Sequence, residues 1–362
     1  MPQAGMVIVR AATPSELREW DHLVARFPNC RIVHKRAWIE WLEACGHGTP
    51  LYLVFERDNE VVGAIPGLLV RIGLLRLYGS PLPGWQTPAM GPVFDPARVS
   101  THELIGALVP FLERRHRVHH VELLSGHLDG GPMQALGFRA ESVPTYRAKL
   151  YPGDEVRMMK ALKESARRNI RRAAKLGLVA RIEDDEAIVA EHYAQLQEVF
   201  VRGGNTVSFG PERAREFFRH MRAAGKLLAV SVYLPEGVSI ATGLFTLDGR
   251  ELLLWSWAHR TAHRWYRPTE LLTWTVMTRA MAAGCDTLDF MGLGDFKTKF
   301  GAELDVTKYR WVRSRYRWLA RARDLAELGY RWQQSLRGRI ARVLLFGWGR
   351  TAEEPERAES PA

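Results

Sequence analysis

Cysteine is scarce. The chain of 362 residues has only three, at positions 30, 45 and 285, and neither CxxC nor Cys/His ligand spacing occurs. Neither a disulfide framework nor a zinc site is suggested, and a reducing compartment fits. Long apolar runs are also missing. None approaches the roughly 18 residues that mark a bilayer-spanning helix, and MPQAGMVIVRAATPSELREW lacks the uninterrupted apolar core of a signal peptide. No GxSxG elbow, P-loop or HExxH motif appears, so nothing marks a serine nucleophile, a Walker-type phosphate cradle or a zinc protease. Acid is short relative to base: 40 Asp and Glu against 51 Lys and Arg give a net charge of +11. That balance favours polyanionic partners such as nucleic acid, nucleotide phosphates or an anionic membrane surface.

What is present reads as globular. Hydrophobic residues make up 46% and charged residues 25%, and the length sits near two domains of ordinary size. In the first half, VIVRAA is a strand. Thr13-Pro14-Ser15-Glu16 then starts a helix, with Thr13 as cap, proline at N1 and Glu16 at N3. A second helix is predicted near 35–45, closed by Gly46. LYLVFERDNEVVGAIPGLLV is a hairpin about Asp58-Asn59. RLYGSPLPGWQTPAMGPVFDP follows as an ordered or lid-like loop. A helix at 101–117, the strand HHVELLSG, a short helix at GGPMQALGF and the strand TYRAKLYP close the unit near residue 152.

The second half repeats that order. A basic helix at 154–176 stops at Gly177, LVARIED is a strand, and helices follow at 186–202 and 211–224. Three strands, KLLAVSVYLP, VSIATGLFTLD and RELLLWSWA, precede a helix from Pro268 to Ala283, the strand CDTLDFMG, the loop GDFKTKFG and the strand VTKYRWVRS. The halves look like two copies of one α/β unit with little residue identity. Trp255–Gly301 is the richest stretch: a strand runs through a basic turn into a helix N-terminus, where free N–H groups and the dipole suit an anion. In GLGDFKTKFG the glycines permit a tight turn beside a ligand, and Phe296 and Phe300 can anchor it. Lys297 and Lys299 share a side if the loop is extended and part if it is helical.

The β-α-α-β-β-β-α-β order resembles the GNAT acyltransferase fold, and its tandem use is similar to the Fem-type aminoacyl transferases. The match extends to the broader FemAB-like and CelD-like acetyltransferase group of bacterial envelope and exopolysaccharide loci. Residues 162–178, the Trp257–Leu272 segment and LDFMGLGDFKTKFG carry it, with VHKRAWIEWLEACG, the first hairpin and GFRAESVPTYRAKL in the first half. It covers about residues 5–315. The expected fold is α/β (α+β): two tandem GNAT-like domains, each a mixed sheet flanked by helices. The expected divisions are a scaffold domain at 1–152, a catalytic domain at 153–315, a basic amphipathic helical extension at 316–350 and a disordered tail at 351–362.

The resemblance implies an N-acyltransferase acting on an amine of a cell-envelope, peptidoglycan or exopolysaccharide precursor. O-acylation of a sugar, or a non-catalytic protein binding polyanion or membrane, stand as alternatives. Such chemistry needs reactants held in line, an uncharged amine and a donor aimed at the developing oxyanion. Fem-type enzymes hold a lysine of a Phe-Lys pair against the transferred group. That role falls on Lys297, with Asp295 to accept a proton or orient it. An ordinary GNAT enzyme carries a glycine-rich pyrophosphate turn where this chain has HRWYRPTEL. Arg264, Arg267 and Thr269 are the candidate phosphate ligands here, and Trp257, Tyr266, Phe296 and Lys299 the candidate cleft wall. The missing glycine leaves acyl-CoA and aminoacyl-tRNA both open as donors. The acceptor is a small molecule or lipid-linked glycan, and no metal is expected.

His259 and His263 are expected to be hydrogen-bonded structural histidines. Nine Lys or Arg stand against one Glu between Arg157 and Arg181, a solvated or tRNA-holding helix. Arginines interleaved with aromatics over 313–350 suit an anionic membrane surface, a domain face or nucleic acid. The expected location is the cytoplasm, with a peripheral seat at the inner face of the cytoplasmic membrane left open.

Overall fold

The computed structural model describes residues 5–346; the predicted tail at 351–362 lies outside them. The first half runs β1 (Ile8–Ala11), α1 (Pro14–Arg18), α2 (Trp20–Ala25), α3 (Arg36–Ala44), β2 (Thr49–Arg57), β3 (Glu60–Ile72), β4 (Leu75–Ser80), β5 (Val93–Phe94), α4 (Thr101–Arg115), β6 (His120–Ser125), α5 (Gly130–Ala135), β7 (Arg139–Ser142) and β8 (Thr145–Lys149). The second runs α6 (Glu155–Ala161), α7 (Glu164–Lys175), β9 (Val179–Ile182), α8 (Ala187–Arg202), α9 (Pro211–Ala223), β10 (Leu227–Tyr233), β11 (Ser239–Asp248), β12 (Glu251–His259), α10 (Pro268–Ala282), β13 (Thr287–Asp289), β14 (Ala302–Asp305), β15 (Tyr309–Ser314) and α11 (Arg317–Phe346).

Local chemistry explains many boundaries. Thr13 and Glu16 form the reciprocal capping box that starts α1, satisfying two N–H groups that the first turn leaves free. Asp58 and Asn59 both take positive φ, 51° and 62°, as a two-residue hairpin turn requires.

Two mixed sheets result, in the orders β1-β2-β3-β4-β6-β15-β7 and β14-β8-β13-β12-β11-β10-β9, with β5 on β3. The halves exchange strands. TYRAKLYP, expected to close the first unit, instead places β8 in the second sheet, where Ala148 faces Leu288 on one side and Ala302 on the other. VTKYRWVRS, expected in the second unit, places β15 in the first sheet, between β6 and β7. Alternation fixes which side chains turn inward but not which core receives them: Ala148 packs in the second unit's core, and the Trp311 indole in the first with Leu123 and Phe138.

Three other expectations change. The segment expected to be a loop begins with strand β4, paired to β3 from Leu68 to Ile72. The basic helix at 154–176 is two helices, because Lys163 is extended and its N–H donates to the Lys299 carbonyl at 2.9 Å. Residues 302–305, unassigned by pattern, form β14 against β8.

A third core fuses the halves. Trp38 and Trp41 of α3 meet Phe217 of α9 edge-on, and Phe217 stacks on Trp255 with centroids 4.2 Å apart. Among the described residues no helix is long and apolar enough to cross a membrane.

Candidate functional site

The second sheet opens where two parallel strands part. β12 pairs with β13 only at Glu251–Leu253, so the rest of β12, to His259, loses that neighbour. The pairing of β12 with β11 also skips Trp255, a β-bulge, a feature that often re-aims side chains beside active sites. Trp255 turns into the shared core, while Trp257 faces the opening and meets Phe290 and Phe296 at 5.7 Å.

Asp289 ends β13 and is fully buried. Its carboxylate accepts from Arg31 Nη2 at 2.7 Å, Lys308 Nζ at 2.8 Å, Thr145 Oγ1 at 3.0 Å and the Met291 N–H at 3.0 Å. Burial alone would raise its pKa, but the charges of Arg31 and Lys308 outweigh that and hold it well below the usual carboxylate range. Beyond it, GDFKTKF folds as a tight 3-10 turn, Asp295–Phe300, so Lys297 and Lys299 part. Lys297 is 7% exposed; its Nζ donates to the Met291 carbonyl at 2.6 Å and the Gly292 carbonyl at 2.9 Å. The Met291 peptide thus links Asp289 to Lys297. An ammonium has three protons, so one donor remains. Burial pulls Lys297 down to about 8, partly opposed by Asp289.

Asp295, expected to orient Lys297, is exposed, and no hydrogen bond or ion pair joins the two side chains among the described residues. The lysine is placed by carbonyls instead. Lys299 reaches buried Glu270 at 3.3 Å and lies 4.7 Å over the Phe296 ring. Asn169 donates to the same Glu270 oxygen at 2.9 Å. This ties basic helix α7 to the site, as does the 2.8 Å bond from Lys163 Nζ to Thr298 Oγ1.

The strand-to-helix turn brings the phosphate candidates together. A 3-10 turn, Thr261–Tyr266, leads to Arg267, whose left-handed backbone (φ 61°, ψ 42°) makes the turn usually left to glycine. Pro268 opens α10, and no side chain caps its first turn, leaving N–H groups there for an anion. Arg267 is exposed, and Arg264 and Thr269 are half-buried. The Thr269 carbonyl accepts from Thr273. Tyr266 lies against Trp265 at 4.0 Å, and Arg172 of α7 sits 5.2 Å over Trp265, so the basic helix borders the turn. His259 makes no side-chain hydrogen bond among the described residues, contrary to expectation. Burial lowers its pKa, opposed by Glu270 and Glu198.

Two cavities lie on either side of Lys308. The larger, about 620 Å³, is lined by charges that are largely paired with one another, as in Arg31–Glu251 at 2.8 Å and Lys35–Asp248 at 2.7 Å. The smaller, about 290 Å³, includes Trp85, Gln86, Pro144, Met291, Gly292 and Arg310, and so touches the residues whose carbonyls hold Lys297. Gln86 and Met291 both have positive φ, 50° and 45°, a strain of about 1–2 kcal/mol each for non-glycine residues. Gln86 Oε1 is buried without a hydrogen-bond partner. Strain concentrated this way is a feature of ligand sites.

Residues 160–303 match the family model described as an acetyltransferase (GNAT) domain. The match lies within the second half of the chain. The tandem architecture is matched by solved structures of low identity. FemX superposes with TM-score 0.68 at 15% identity, covering 83% of this chain and 96% of its own. A conserved protein of unknown function from Bacteroides thetaiotaomicron gives 0.53 at 10%, covering 85% and 99%. A tandem GNAT protein from the clavulanic acid biosynthesis pathway gives 0.50 at 13%, covering 86% and 98%. No curated protein matches the sequence significantly. The overall fold is similar to that of these solved structures.

Within the matched residues, Trp257, Phe296, Lys297 and Lys299 gather at the opening, and Arg264, Tyr266, Arg267 and Thr269 at the turn into α10. The pattern of the sequence did not disclose Asp289, Arg31, Lys308 or Gln86. MGLG hinted only that the backbone after Asp289 turns sharply.

Proposed function

We propose that the chain transfers an acyl group from an activated donor to an amine on a cell-envelope or exopolysaccharide precursor, at the opening between β12 and β13. The carrying observation is Lys297, a part-buried ammonium pinned by two carbonyls with one N–H unspent. A cation with no carboxylate bonded to it, in a site of reduced water, suits stabilisation of a developing oxyanion. In the reaction the neutral amine attacks the carbonyl carbon, the thioester or ester bond breaks, and the amine proton passes to the leaving sulfur or oxygen. Lys297 donates to the tetrahedral oxygen throughout and is not consumed.

The donor's phosphates would lie at the uncapped start of α10 with Arg264, Arg267 and Thr269, and the acceptor would enter by the cavity at Gln86. Acyl-CoA is the donor of the GNAT family, and the clavulanic acid pathway neighbour is described by reference to acetyl-CoA. Aminoacyl-tRNA is the second donor in this reading, since α7 extends the basic surface. A lipid-linked glycan acceptor, and a seat at the inner face of the cytoplasmic membrane, belong to the same reading.

The test is a thermal-shift screen with acyl-CoA species, aminoacyl-tRNA and nucleotide sugars, because a ligand of the folded state raises apparent stability. Mass spectrometry then follows transfer from any hit to amine acceptors. Lys297→Ala should keep the donor's shift and lose transfer. Full transfer by that variant, or no shift with any donor, sinks the proposal.

A further inference from the structure

Helix α11 presents two unlike faces. Its inner side is fixed to the first sheet: Leu319 is buried, Arg323 donates to Glu122 at 3.0 Å and to Glu141 at 2.8 Å, and Asp324 accepts from Arg139 at 2.7 Å. Its outer side carries Trp318 at 57% exposure, Leu325 at 69%, Leu328 at 62% and Trp332 at 71%. Steps of seven, ten and fourteen residues place these four on one stripe. Arg315, Arg317 and Arg321 are exposed beside it, and no carboxylate pairs with them among the described residues. The acids of this stretch, Asp324 and Glu327, are turned to Arg139 and Arg323.

We infer that this outer face is an interfacial membrane anchor, occupied by the headgroup layer of an anionic bilayer. Charge complementarity chooses the occupant. Arg315, Arg317 and Arg321 stand exposed beside the stripe with no carboxylate partner among the described residues, and unpaired basic side chains beside a membrane-facing surface are attracted to anionic headgroups. Tryptophan at both ends of a leucine stripe matches the headgroup–acyl boundary, where an indole has one apolar and one wet side. A second copy fits less well, because a two-fold contact through this stripe would bring the arginines toward their own kind. Nucleic acid would use the arginines but leave Leu325 and Leu328 without a partner.

Position gives the anchor a purpose. Glu122, which holds Arg323 of α11, also accepts from Arg310 at 3.0 Å, and Arg310 lines the smaller cavity. Two ion pairs therefore connect the anchor to the proposed acceptor entrance. The inference sharpens the membrane seat named in the functional reading and depends on that reading only for this purpose; lipid binding itself needs no acyl transfer.

The experiment is cosedimentation of the full chain with vesicles of equal phosphatidylglycerol and phosphatidylcholine, and with phosphatidylcholine alone. Binding should require the anionic lipid. It should weaken about tenfold or more in Trp318→Ser/Trp332→Ser, and separately in Arg317→Glu/Arg321→Glu. Melting and transfer to a lipid-free acceptor should be unchanged in both variants, so loss of transfer and loss of membrane binding are read apart. Binding that the tryptophan variant retains means mere adherence of a polycation and overturns the inference. So does failure to bind vesicles, whether accompanied by self-association that the tryptophan variant abolishes or by tRNA binding that only the arginine variant abolishes.

Discussion

The two sheets open in the same way and are then used differently. In the first, β4 and β6 run parallel over Leu77–Ser80, and the chain beyond Ser80 folds back into the gap. Gly91 donates its N–H to the Leu124 carbonyl at 2.9 Å, and the single Ser80 hydroxyl proton is shared between the Pro66 and Met90 carbonyls, 2.7 and 2.6 Å away. A Cβ on Gly91 would sit 2.8 Å from that of Ser125, so the returning chain packs directly against β6. In the second, β12 leads directly into a short turn and α10, and the gap keeps its aromatic wall and Lys297. One gap is thus filled by returning chain, and the other is bordered by the aromatic wall and Lys297, where the proposed chemistry would take place. The plug still contributes: its Trp85 and Gln86 line the cavity against Met291.

Each sheet also has a buried acid hub, and this is where the comparison breaks most sharply. Asp289→Asn would leave Arg31 and Lys308 buried without their shared charge, at a cost of about 3–5 kcal/mol, read as a lower urea midpoint. Glu122→Gln in the first sheet should cost a similar amount, since it strands Arg310 and Arg323. Only the Asp289 variant should also shift the pH profile of transfer to lower pH, because Asp289 supports the charge on Lys297. Equal pH profiles would mean the hub does not act on the lysine.

The next effect is on rate. Lys297→Ala should lower kcat by about 10²–10³-fold, the usual cost of one oxyanion donor, with unchanged circular dichroism. His127 follows β6 in the first sheet, its N–H donating to Ser125 Oγ at 3.0 Å, and His127→Ala should stay within about threefold. A large loss from the His127 variant would mean the first opening is not idle.

The third is pH dependence. Burial lowers the folded pKa of Lys297 to about 8 from 10.5, so the ammonium is present below about pH 8 and lost above it. Transfer should therefore fall as pH rises through about 8, and Lys297→Arg should remove that limb. A rise through this range that Lys297→Arg abolishes would assign the lysine the opposite role, as a neutral base, whereas a rise that the variant keeps belongs to the acceptor amine.

The smallest concerns Gln86. Replacing it with glycine relieves the left-handed strain and changes stability by no more than about 1 kcal/mol, while raising KM for the acceptor. Calorimetry and steady-state kinetics check both parts, and an unaltered KM would remove Gln86 from the acceptor path.

Features written into neighbouring residues were legible in the sequence. The Thr13–Glu16 box, the Asp58-Asn59 turn and the repeated unit order all follow from local spacing. β4 was obscured because the Pro- and Gly-rich run begins inside it, and the break before Lys163 because a tertiary contact, not a proline, makes it. The strand exchange was invisible, since a strand's pattern names a face and not a partner. At the site, Lys297 stands out from its motif, but its seat depends on Asp289, and Asp289 on Arg31, 258 positions away.

The strand exchange has a consequence for how the protein is made. While the chain is being synthesised, the first sheet waits for β15, so β6 and β7 cannot be joined until Ser314 has emerged. The first half must keep an unfilled slot, lacking the Trp311 indole, for the time taken to make nearly all of the second. Nascent chains released early would expose that slot as two unpaired strand edges, which are prone to aggregate. Completion of the scaffold is thereby tied to completion of the half that carries Lys297, and a chain cut short gives neither.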